Sequence, residues 1–98
     1  MITIGARTYT VVYATELEDE TLKSNPKAYG YADHSASKIV IKKTECETFM
    51  KENLMHEIIH AISENAGISL SEDIIRILAP RMHEFLVRNK NFINEIQE

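Results

Sequence analysis

The chain has 98 residues, enough for one compact domain and too few for two independent cores. With 44% hydrophobic and 27% charged residues it has the balance of a globular protein rather than a disordered one. Its 11 basic and 15 acidic residues give a formal net charge of -4, so no general attraction to nucleic acid or anionic lipid follows, and neither is expected as a partner.

Cys46 is the single cysteine, which excludes an internal disulfide and a cysteine-based metal cluster. Its neighbours Glu45 and Glu47 oppose thiolate formation. The uncharged stretches fall far short of a membrane span, and the N-terminus lacks the basic-then-apolar form of a secretion signal. A cytoplasmic protein with no membrane association is the expectation.

In chain order, Ile2, Thr3 and Ile4 and then residues 8–13 form two β-rich runs separated by Gly5, Ala6 and Arg7, which predicts an antiparallel hairpin with Gly5 in the turn. Residues 16–23 can form a short helix, broken at Ser24-Asn25-Pro26. Residues 28–32 and 37–42 read as a second strand pair about a turn at Asp33-His34-Ser35-Ala36. In the later strand Ile39 and Ile41 alternate with Lys38, Val40 and Lys42, the pattern of a strand with one buried face. Residues 46–66 lack Pro and Gly and predict a long helix, with Thr44 or Thr48 as its cap and Gly67 just beyond its end. Ser69-Leu70-Ser71-Glu72 has capping-box spacing and makes Ser69 the expected N-cap of a further helix. That helix runs to about Arg88, kinked or divided at Pro80, and Phe92, Ile93 and Ile96 follow in a short last turn.

The chemistry concentrates in His56-Glu57-Ile58-Ile59-His60. At about 100° per residue the two histidines lie about 40° apart and both imidazoles can reach one ion, while Glu57 stands about 100° from His56, free to address water. The same arithmetic gathers Leu54, Met55, Ile58, Ile59, Ile62 and Ala66 on an opposite, buried arc. A catalytic zinc takes three protein ligands, so a third must come from elsewhere; the residue six after His60 is Ala66. On the following helix Ile74, Ile75, Leu78, Ala79, Met82, Phe85 and Leu86 form the apolar arc, with Glu72 and His83 at one edge and Asp73 on the polar face. Glu72 is the preferred third ligand, and Asp73, His83 and Glu84 remain alternatives.

The run from Leu54 to Ile62, with Gly67-Ile68-Ser69-Leu70-Ser71-Glu72-Asp73, Leu86-Val87-Arg88-Asn89, the Gly30-Tyr31-Ala32-Asp33 turn and the Ile39-Val40-Ile41 strand, resembles small phage and prophage zincins related to ImmA/IrrE-type metallopeptidases. The resemblance implies an α+β minimal zincin domain over residues 1–98, with a small antiparallel or mixed sheet packed against the metal helix and the helix after it. It implies Zn2+ on His56 and His60, Glu57 as general base, and a third-ligand Glu near the start of the next helix, matching Glu72 or Asp73. The activity implied is hydrolysis of a peptide or protein substrate. The strand at 37–42 is the expected sheet edge for that substrate, and Tyr29, Tyr31 and His34 are candidate oxyanion donors, though a sheet-face or turn role is simpler for each. The alternative function is a non-catalytic phage-derived structural or interaction protein on the same scaffold. Oligomeric state is left open by the sequence.

Overall fold

The computed structural model describes residues 1–97, a mixed α+β fold with a four-stranded sheet and several helices. Strands β1 (Ile2–Ile4) and β2 (Arg7–Ala14) form the hairpin, with Gly5 at φ 61° in its two-residue turn. The short helix α1 (Glu20–Ser24) follows, then β3 (Gly30–Asp33), β4 (Lys38–Lys42), the long helix α2 (Glu47–Asn65), α3 (Glu72–Arg88) and α4 (Phe92–Ile96). Among the described residues no helix is long and apolar enough to cross a membrane.

The strand order is β1-β2-β4-β3, with β4 parallel to β2 and antiparallel to β3. The last strand of the sequence is therefore interior, not an edge; the edges are β1 and β3, and β3 is the one that lies more closely along α2. Both faces of β4 are covered, correcting the expectation of one buried face. Ile39 and Ile41 pack with Tyr9 and Ala61 beneath α2, while Val40 packs with Ala14 and Leu22 on the reverse. Lys38 and Lys42 are only partly buried because they occupy the strand ends, where Lys42 pairs with Glu16.

The reverse layer depends on α1. Asp19 caps it by accepting from the Leu22 amide and also accepts from the Tyr31 hydroxyl (2.7 Å), which fixes Leu22 over Val40. Leu22→Ala is expected to cost about 2–5 kcal/mol in chemical denaturation, since Leu22 is fully buried. A loss below about 1 kcal/mol, the scale of a well-tolerated volume-conserving core swap, would show that α1 is dispensable.

Helix α2 has two packing faces rather than one apolar arc. Met50, Leu54, Ile58 and Ala61 lie against the sheet, whereas Met55 and Ile59 meet Ile75 and Ala79 of α3. Ile62 and Ala66, assigned to a buried arc from spacing, are exposed. The same holds for Ile74, Leu78, Met82 and Phe85 on α3, where Ile75 and Ala79 alone are fully covered. The histidines occupy the sector of α2 between its two packing faces, which opens as a groove.

Two further expectations shift. The N-cap of α3 is Ser71, whose hydroxyl accepts from the Ile74 amide, not Ser69. Starting two residues later lets Leu70, just before the cap, pack in the same cluster as Ile75, the fourth helical residue, as a hydrophobic staple. Pro80 leaves α3 as one continuous helix. Its ring removes one main-chain donor, and the Arg81 guanidinium donates to the Ile77 carbonyl (2.8 Å) in that turn.

Candidate metal centre

Helix α2 presents His56 and His60 one turn apart, and α3 presents Glu72 from its first position. His56 Nε2 lies 2.7 Å from Glu72 Oε1, His60 Nε2 lies 2.9 Å from Glu72 Oε2, and the two Nε2 atoms are 3.2 Å apart. The ligand atoms of all three residues fall within 4.8 Å of one another.

Proton counting sharpens this arrangement. A carboxylate only accepts, so each contact to Glu72 asks its imidazole Nε2 to carry a proton, whereas the short Nε2–Nε2 contact asks one of them to offer a lone pair. One cation taking a lone pair from each nitrogen and from the carboxylate removes the conflict. The spacing suits this: tetrahedral bonds of 2.0–2.1 Å place ligands about 3.3–3.4 Å apart. Glu72 stands closer than that, but its side chain is 55% exposed on a helix terminus and free to withdraw. Histidines and a carboxylate are donors that suit zinc.

Glu57 is outside this trio. It is largely buried, and burial, aided by the charge of Glu72, pushes its carboxyl up to about 7; a neighbouring cation acts in the opposite sense. Burial likewise pulls the His56 imidazole below its ordinary value, although Glu72 opposes that. Gly30 packs close against β4, with Glu57 at ordinary van der Waals distance. A Cβ at Gly30 would meet the Val40 carbonyl oxygen at 2.9 Å and Glu57 Cγ at 3.6 Å, so any side chain there forces β3 from its partner.

The groove has two halves that meet at Glu57. One, of about 570 Å³, is walled by Ala32, His34, Ser63, Glu64 and the 67–70 loop. The other, of about 490 Å³, is walled by Lys27, Tyr29, Gly30, Phe49, Asn53 and Arg76. Strand β3 runs along both. The Lys42 amide donates to the Tyr29 carbonyl, and Tyr31 pairs with Val40 two positions on. Bonded and non-bonded positions alternate in an antiparallel ladder, so Gly30 and Ala32 direct their main-chain N–H and C=O groups to the open edge.

The alternative ligands do not join the trio, whereas Tyr29 and His34 line the groove beside it. Asp73 pairs with Arg76 (2.8 Å), Glu84 pairs with Arg88 (3.4 Å), and His83 lines a separate depression with Thr48 and Glu52. Of the candidate oxyanion donors, Tyr31 is committed to Asp19 on the reverse of the sheet, and Tyr29 packs edge-on against Phe49 at 4.8 Å. His34 is held on both nitrogens: Nε2 meets Glu64 at 2.6 Å and Nδ1 meets the Tyr9 hydroxyl at 2.8 Å. In the neutral ring this makes Nε2 the donor to Glu64 and leaves Tyr9 to donate to Nδ1. His34 thus fastens the end of β3 to α2.

Sequence reasoning passed over Asn53, Glu64 and Arg76 as groove residues. Helical spacing carried the signal, because Asn53 precedes Glu57 by four, Glu64 follows His60 by four, and Arg76 follows Glu72 by four. Comparisons with protein-family models, with curated proteins and with solved structures gave no match.

Proposed function

We propose that this chain is a small zinc metallopeptidase of the minimal zincin type, similar to the phage and prophage enzymes its motif resembles, and that it hydrolyses a peptide laid along β3. The observation that carries the reading is the convergence of His56, His60 and Glu72 from two helices, with Glu57 beside them but not among them.

His56, His60 and Glu72 would hold the zinc, which when bound supplies Lewis acidity, lowering the pKa of a water and polarising a carbonyl. Glu57 takes the proton of the attacking water and delivers it to the departing amine. Gly30 and Ala32 offer main-chain donors and acceptors at the open edge, so an extended peptide can add to the sheet as a further strand and cross the groove beside Glu57. This moves the substrate edge from residues 37–42 to β3.

A non-catalytic interaction protein on the same scaffold is the second reading, favoured by Ile74, Leu78 and Phe85, whose exposure on α3 suits a protein contact. Metal analysis of protein purified without added zinc, followed by incubation with a peptide library and mass spectrometry, separates the two. The peptidase reading expects about one equivalent of zinc and discrete cleavage that a chelator abolishes. Zinc without cleavage selects the interaction protein, and failure to take up metal on titration removes the basis of both catalytic steps.

A further inference from the structure

In a chain with net negative charge, one half of the groove gathers hydrogen-bond donors from three separate segments. Lys27 comes from the loop before β3, Asn53 from α2 one turn ahead of His56, and Arg76 from α3 one turn after Glu72. The Asn53 Nδ2 is buried and has no hydrogen-bond partner among the described residues. Buried donors are ordinarily paired, so this amide of the groove wall has a donor for which the fold supplies no acceptor, and a small turn of the side chain would offer it to a ligand. Arg76 is bonded to Asp73 through Nη1 only, in an exposed pair. Such a pair is weak, and the guanidinium keeps donors to spare. The opposite half of the groove has Glu64 and His34 on its walls and neither Lys nor Arg.

We infer that the half of the groove formed by Lys27, Asn53 and Arg76 is a subsite for a carboxylate of the substrate peptide, whether an Asp or Glu side chain or the chain's own C-terminus. A carboxylate is acceptor-only, planar and matched to a guanidinium fork, and the amide supplies the buried contact. Tyr29 and Phe49, in edge-to-face contact at 4.8 Å, form an apolar wall for the stem that carries it. Glu57 and Glu72 also border this half and act against an anion, but Glu72 is engaged by both histidines, and the cation that trio would hold offsets them. The subsite rests on the peptidase reading and gives it a substrate class.

The test uses Glu57→Gln protein, in which turnover is slowed, titrated with three fluorescent peptides of one sequence. The first is amidated and neutral, the second has a free C-terminal carboxylate, and the third is amidated with one Asp moved through successive positions. One acidic form is expected to bind about tenfold more tightly than the neutral one, with the advantage reduced by salt. Which of the two does so identifies the source of the carboxylate. Arg76→Gln and Asn53→Ala are expected to remove the advantage. Asn53→Ala is also expected to melt at or above the parent temperature, because it deletes an unpaired buried donor. Equal binding of all three peptides, the absence of binding, or an acid preference that persists in both variants overturns the subsite. Acid-selective binding without hydrolysis by the parent overturns the peptidase reading alone; hydrolysis without acid preference overturns the subsite alone.

Discussion

Glu57→Gln is expected to retain about one equivalent of zinc and to lose peptide hydrolysis by about 10²–10⁴-fold, the usual contribution of a positioned general base. The change is nearly isosteric, and the shape of the groove floor matters because Glu57 packs beside Gly30. Glu57 does not belong to the trio whose atoms converge, so metal content is not at stake. Unchanged cleavage by the variant would remove the assigned base, and loss of zinc would make Glu57 a ligand. Stability in the metal-free protein should move the other way. Burial raises this carboxyl from 4.5 to about 7, so the unfolded chain ionises first and the folded state loses stability as pH rises through that interval. The glutamine variant carries no such loss and is expected to be the more stable form at and above neutral pH.

Glu72→Ala is expected to weaken zinc binding by more than about a hundredfold, beyond the range typical of outer-shell partners. The structure removes the main competing role for this side chain. Ser71 caps α3 and accepts from the Ile74 amide, which leaves the Glu72 carboxylate to the two histidines. Ser71→Ala therefore serves as the comparison, with an expected cost of about 1 kcal/mol in stability and little change in metal affinity. Asp73→Ala and His83→Ala should leave affinity near that of the parent, since neither belongs to the converging trio. A Glu72→Ala protein that loses stability yet binds zinc normally would return the third ligand to another residue.

Those features of the site that depend on spacing along one helix were legible in the sequence. His56, Glu57 and His60 are set by their positions on α2, whereas the choice of Glu72 over Asp73, His83 and Glu84 stayed open, because it depends on how α3 packs against α2. The order of the strands was not legible, because it depends on a parallel pairing of β2 with β4 that bypasses the sequentially adjacent strand. The run Ile39-Val40-Ile41 held a clue. Three consecutive apolar residues fit a strand covered on both faces, but the flanking lysines imitate a half-exposed alternation. The start of α3 was ambiguous for a similar reason: Ser69 and Ser71 are both good caps, and the choice falls to Leu70, whose packing partner belongs to the interior of another element. The width of the apolar arcs was also overestimated, since α3 meets the rest of the fold chiefly through α2, leaving Ile74 half exposed and Phe85 in edge contact with Phe92 of α4 at 5.1 Å.

That last feature sets how tightly the final third of the chain is tethered. The seam between the long helices is centred on Ile59, Ile75 and Ala79, with Met55 and Leu70 packed against them. Glu72 sits across this seam from the two imidazoles, so a cation shared among them would also clasp the two helices together, and its occupancy would add to the stability of their docking.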